Sequence, residues 1–393
     1  TGKLDSKTSA RDIDILTGQG LTTIGGNIGT ILALNSLDIN ATANAKYTGG
    51  VTISGDIGSG ATSGSGEGIS GNLNLGNTNT TGVITLNGED IVTGGTIALD
   101  GGSYKVAGGS TDLTIVTNSK TVDFGTGVIT VGNNAFSIDT DTANGTGSSD
   151  GADITFAGKI IGDTTKVSGS TVLADLSFDA GNAGEVTVLD IGYDGSSDVD
   201  EINAVTLKGA LIKTNGKINT VGDASNNLGT VTITGALSLV GNTTIETDTA
   251  ASKTLDGDIT ISGTTNATGS ETLTINSGSG AVEFGSLIGS TDGLGTVAIN
   301  TTAGAEGNEA TGTIAIPGIG SADGTTTSGI DSGSTFTAGN TNTASITLDG
   351  DMYFTDGNTL FEATSGNTII NNQSTGAVTD FITAADSIEF KGG

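Results

Sequence analysis

The feature that most constrains this chain is a three-residue step, apolar then polar then apolar, that recurs along its length with small-residue turns between. Residues 271–299 hold three copies: Leu273-Thr274-Ile275, Val282-Glu283-Phe284 and Val297-Ala298-Ile299. Alternation with period two puts the outer members on one face and the middle one on the other, so each step is a very short strand with one buried face. The pattern repeats at long range. LTIVTNSKTVDFG at 113–125 matches LTINSGSGAVEFG at 273–285, and LGTVTI at 228–233 returns as LGTVAI at 294–299. ITLDGDMYF at 346–354 likewise echoes TLDGDITI at 254–261. Such self-similarity predicts a repeat architecture.

The separators are runs of Gly, Asn, Ser, Thr and Asp, which tolerate the backbone of sharp corners, and the chain carries 67 glycines against one proline. No three-turn helix with an apolar stripe is evident. The nearest candidate, AVTLKGALIK at 204–213, is short and interrupted by Gly209. Strands of three residues favour a parallel solenoid over sandwiches, whose strands run about five or six. The expected fold is all-β: an elongated parallel β-helix, or β-solenoid, with variable loops, very little helix and coils of about 20–25 residues. Middle-position threonines such as Thr52, Thr114, Thr187, Thr232, Thr260 and Thr274 should face outward.

Along the chain we expect an N-terminal arm and first strand at 1–30, solenoid repeats at 31–300, a loop-rich possible boundary at 301–345 around Pro317, and C-terminal coils or a cap at 346–393. Phe354, Phe361, Phe381 and Phe390 concentrate aromatics in that last segment. Lys3, Lys7 and Arg11 make the first eleven residues basic while the last forty are acidic and Phe-rich. Unlike ends of a solenoid suit end-to-end self-association into filaments.

A net charge of -30 repels phosphate backbones and anionic lipid, which argues against nucleic-acid and membrane-surface partners and leaves cations as the better candidates. There is no cysteine, and no apolar run reaches membrane-spanning length. One stretch has metal-ligand spacing. DIGYDGSSDVDE at 190–201, read as a twelve-residue calcium loop, puts Asp190, Asp194, Asp198 and Glu201 in oxygen-ligand slots and Gly195 at the turn, with Asp200 as a fifth acid. Gly192 offers no side chain at position 3, so the choice is between a Ca²⁺ site and a solvated acidic loop.

Acid pairs such as Asp139 with Asp141 and Asp256 with Asp258 would satisfy a glycosidase, which needs two carboxylates. With 43 acids such pairs arise by chance, and the chain has no His, no Trp, one Arg and four Tyr, so we read it as not an enzyme. Asn-x-Ser/Thr sequons include Asn40, Asn144, Asn242 and Asn300, in numbers that chance accounts for.

The Phe284-Gly285, Ile288-Gly289 and Thr291 pattern, with KIIGDT at 159–164 beside SLIGST at 286–291 and the two LGTV segments, resembles the repeats of filamentous haemagglutinin and autotransporter-passenger proteins. The resemblance covers most of residues 30–300. It implies a right-handed parallel β-helix, export to the bacterial surface, and adhesive or scaffold work. The chain lacks the Asn-Pro-Asn motif of the haemagglutinin secretion domain and the C-terminal barrel of autotransporters. The functional expectation is a non-enzymatic extracellular structural protein, a subunit of a cell-surface fibre or layer or an adhesin stalk. Its partners would be copies of itself, surface glycans or other cells. A carbohydrate-active β-helix enzyme, a polysaccharide lyase or tailspike-like glycosidase, is the alternative.

Overall fold

A computed structural model describes residues 3–392 apart from 59–66, 108–110, 142–150, 164–172, 194–201, 223–227, 248–255, 302–309, 322–327, 365, 371–378 and 384–385. Among these residues there is no helix, the strands pair in parallel, and the architecture is a parallel β-solenoid. The chain divides into two compact units: Thr1–Ile202 with Leu207–Ala210, and Asn203–Thr206 with Leu211–Gly393.

Each turn of the first unit has three sides. On the first face Asp12–Ile15, Ser36–Ile39, Leu73–Gly76, Ile97–Asp100, Val122–Phe124 and Ile154–Phe156 stack in register. The second face begins with bridges from Leu4 to Ile28 to Ile57 and continues through Asp90–Thr93, Leu113–Thr117, Phe136–Asp139 and Ala174–Asp179. The third is a six-stranded sheet from Thr22–Ile24 to Ile160–Gly162. Apolar members of each step point inward. Leu37, Ile39, Leu73, Leu75, Ile97 and Leu99 are at most 1% exposed, and each such side chain contributes about 2 kcal/mol of burial. The six middle threonines named above are half-buried, as outward positions on a packed sheet should be. Aromatic rings stack along the interior, with Phe156 centred 5.1 Å from Phe124 and 4.6 Å from Phe178.

The second unit is built alike. A single strand, Gly229–Glu246, runs through all three faces, pairing in turn with Ile259, Thr265 and Leu273 through Val231, Leu237 and Thr243. The candidate helix at 204–213 is extended backbone within the strand Ile202–Asn219. The β-branched Val205, Thr206 and Ile212 favour extended backbone, and Val205 and Leu207 are buried on either side of exposed Thr206 as period two requires. The 301–345 segment supplies two rungs, Thr313–Ile316 and Thr335–Asn340. The N-terminal arm is docked from residue 3 onward: the Leu4 amide donates to Asn27 O at 3.0 Å and Ser6 N to Leu32 O.

Turns run from the expected length to well beyond it. Bonds between neighbouring rungs span 24 residues from Asn72 to Thr96, 33 from Asp56 to Glu89 and 40 from Asn300 to Asn340. A turn holds three strands and three corners, and a corner lengthens without disturbing the strands.

Candidate functional site

The acids and amides of the corners have a common task. Asp112 Oδ1 accepts the Ala135 amide at 2.9 Å, Asp153 that of Glu185 at 2.9 Å, and Asp258 that of Ala281 at 2.7 Å. Asn72 and Asn242 do the same for Thr96 and Thr272. In each case the side chain reaches across to the backbone at or just ahead of the start of the next strand, satisfying an amide at the corner. Many carboxylates are thereby committed to holding turns together.

Of the two acid pairs singled out above, Asp256 and Asp258 follow this rule, whereas Asp139 closes a turn within its own corner. Asp256 is buried and accepts from Ser279 N and Oγ at 2.9 and 3.0 Å, while Asp258 bonds Ala281. Asp139 accepts the Asp141 amide at 2.7 Å in a tight turn. Burial first, then the nearby Asp179 and Asp141 carboxylates, push the Asp139 carboxyl above its ordinary value. Lys208 donates to Asp179 at 2.7 Å and is raised by that bond.

Of the proposed calcium loop, Asp190 lies at 3.1 Å from Lys159 Nζ in an ion pair, and its carbonyl accepts from Ile160 N at 2.9 Å. Asp194, Asp198, Asp200 and Glu201 lie outside the described residues. A cation entering this loop would meet an Asp190 already held by a lysine. Among the described residues no three acids converge as a metal cage.

A groove of about 360 Å³ opens on the first face of the first unit, lined by Asp14, Asp38, Asn74 and Asp100, with Ala41 and Thr42 at its rim. Asp14, Asp38, Asn74 and Ala98 are register neighbours on successive rungs, and Asn74 Nδ2 donates to Asp38 at 2.5 Å. Next along this column is Asp123, whose carboxyl is raised by burial and then by Asp100. The groove is polar and open, and none of its lining residues is aromatic. It offers carboxylate oxygens to cations or hydroxyl groups and no ring on which a sugar would stack.

Two of the four named sequons are structural corners. Asn40 and Asn300 are fully buried with left-handed backbone, φ 51° and 49°. Asn300 Oδ1 accepts Ser277 N at 2.8 Å and Nδ2 donates to Ser277 Oγ at 3.0 Å, while its carbonyl accepts from Asn340 Nδ2 at 2.7 Å. Asn40 makes the same bonds with Thr17 N, Thr17 Oγ1 and Asn77 Nδ2 at 2.9, 3.1 and 2.6 Å. Asn242 is occupied by its corner bond, and Asn144 lies outside the described residues.

These matched corners expose a duplication that short echoes had obscured. Residues 12–40 align with 272–300 without a gap, sharing Ile15/Ile275, Gly18/Gly278, Gly20/Gly280, Ile28/Ile288, Leu34/Leu294 and Ile39/Ile299. The segment GNTNT then occurs at 76–80 and again at 339–343. There Asn77 N and Asn340 N donate to Thr80 and Thr343 hydroxyls at 2.8 and 2.9 Å. GNTNT itself was the signal that could have found it. No family model matches this chain, and neither a curated protein nor a solved structure does.

Proposed function

We propose that this chain is a non-enzymatic structural protein of the extracellular surface, working as a subunit of a fibre or layer or as the stalk of an adhesin. The observation that carries this reading is what the duplicated stretch retains. Inward and corner residues recur with the same hydrogen bonds, whereas outward ones do not: Asp14 faces Thr274 in the alignment, Asp38 faces Ala298, and Thr23 faces Glu283. Repetition of a scaffold under a changing surface suits a protein whose task is to span and display. Surface glycans, other cells and copies of the chain are the partners this reading entails. Electron microscopy of native cell-surface material with antibody against the chain tests it. Label on fibres, layers or stalks supports it, and label confined to the cell interior overturns it.

A second reading, a carbohydrate-active enzyme, is favoured by Asp14 and Asp38. In-register residues on adjacent strands have backbones about 4.8 Å apart, a spacing from which two carboxyls can take up the separation of a retaining glycosidase. Cleavage of a surface polysaccharide, lost in Asp14→Asn or Asp38→Asn, would establish it in place of the first.

A further inference from the structure

The outward sides of the first unit differ sharply in charge. On the first face, which continues from Ile154–Phe156 to Glu185–Val188, outward positions hold Asp12, Asp14, Asp38, Asp100, Asp123 and Glu185. The third face, through its six described strands, presents no carboxylate. Its central column runs Thr23, Thr52, Thr85, Lys105, Thr130 in register. Beside it Val83 and Val128 flank Ser103 on neighbouring rungs, at 38% and 39% exposure. In a chain carrying -30, an acid-free face of Thr, Val and one exposed Lys is the exception to its surroundings.

From this contrast we infer that the third face of the first unit docks against the acidic first face of a second copy of the chain. The inference rests on the structural reading above and gives that reading a partner and two surfaces. Both are faces of parallel sheet with a rung spacing of about 4.8 Å, so side chains of one lie at the same intervals as those of the other. Lys105 meets the Asp14 and Asp38 column, while Val83 and Val128 leave water against the apolar stems around it. Like faces cannot substitute. Two first faces would set six carboxylates against six, and two third faces would bring Lys105 to Lys105 with no acid between. The contact joins unlike surfaces, so each copy keeps one face free for the next, and association continues as an open row or closes as a ring.

The absence of cysteine allows a direct test on the full chain in about 0.15 M salt, where only close charges interact strongly. The rungs on either side of Lys105 carry Thr85 and Thr130, so in Thr85→Cys, Asp38→Cys and Thr130→Cys, Asp38→Cys double variants, one for each sense of docking, the two thiols stand on different faces of one chain. Mild oxidation is expected to give a ladder of disulfide-linked oligomers in one of the two, and Thr85→Cys, Ser137→Cys and Thr130→Cys, Ser137→Cys controls, with the second thiol on the second face, are expected to give none. By sedimentation velocity, Lys105→Glu should weaken association about tenfold or more, and adding Asp14→Lys should restore it. Unchanged circular dichroism verifies that each variant is folded. Equal cross-linking in the controls, or association indifferent to Lys105→Glu, overturns the proposed faces. A chain that stays monomeric throughout overturns the inference yet leaves the stalk reading standing, since only turnover or an interior location removes that.

Discussion

Replacing Asn300 tests whether a corner side chain, more than the apolar column, holds a rung in register. Asn300→Ala removes two side-chain hydrogen bonds to Ser277, of which the one to its hydroxyl contributes about 1 kcal/mol net. It also strands the Ser277 amide, which is fully buried, at about 1–3 kcal/mol. Finally it places an alanine at φ 49°, a left-handed conformation costing about 1 kcal/mol. The sum is about 3–5 kcal/mol. Asn300→Gly forfeits the same bonds but relieves the backbone, so it should cost about 1 kcal/mol less. Solenoids open rung by rung, so the assay is amide hydrogen exchange read by mass spectrometry on peptides containing Ser277. Exchange there should quicken by a hundredfold or more in the alanine variant and by less in the glycine one. The duplicate supplies an internal control: Thr17 is exposed where Ser277 is buried, so water can take over its amide, and Asn40→Ala should cost less. Unaltered protection at Ser277, or a larger effect at Asn40 than at Asn300, would refute the reasoning.

Other outcomes follow from the same geometry. A Cβ on Gly289 would lie 2.3 Å from Gly329 O at φ +68°, so Gly289→Ala should destabilise by about 3 kcal/mol or more, whereas Gly25, with nothing within 4 Å, should accept alanine at little cost in a urea titration. Phe156→Ala should cost about 3–5 kcal/mol and Phe156→Leu less than half of that, read from thermal midpoints, because Phe156 is closed between Phe124 and Phe178. The raised Asp139 takes up its proton at higher pH in the folded chain than in the unfolded one, so it opposes folding at neutral pH and this penalty lifts as pH falls through its folded value. Asp139→Asn, which keeps the oxygen that accepts Asp141 N, should therefore raise the melting temperature at pH 7 and lose that advantage near pH 3; an equal gain at both would sink the assignment.

The solenoid was legible because period-two steps such as Val282-Glu283-Phe284 state their buried face directly. The period of the repeat was not. Leu113–Val116 and Leu273–Asn276 look alike because every side of every turn needs an apolar step followed by a corner, so local echoes arise at any offset. In the aligned duplicates, Leu273 corresponds to Ile13 on the first face, while Leu113 lies on the second. Only residues tied to one particular corner, Asn40 and Asn300 or the two GNTNT segments, discriminate between sides. The same mixing of roles hid the use of the acids, since an Asp that accepts a backbone amide and an Asp awaiting a ligand read identically in a string of letters. The face contrast of the first unit needed register, because Thr52, Thr85 and Lys105 become neighbours only once their rungs are paired.

The Asn corners also set what kind of change this protein tolerates. Asn77 reaches Asn40 across 37 residues and Asn340 reaches Asn300 across 40, yet the bond is the same within 0.1 Å. Length added between two rungs is absorbed at the corners and never propagates into the ladders, so the inner register is insulated from insertions and deletions. A foreign peptide grafted between such a pair of asparagines would thus be carried on the surface without renumbering the core, making the chain a natural frame for epitope display.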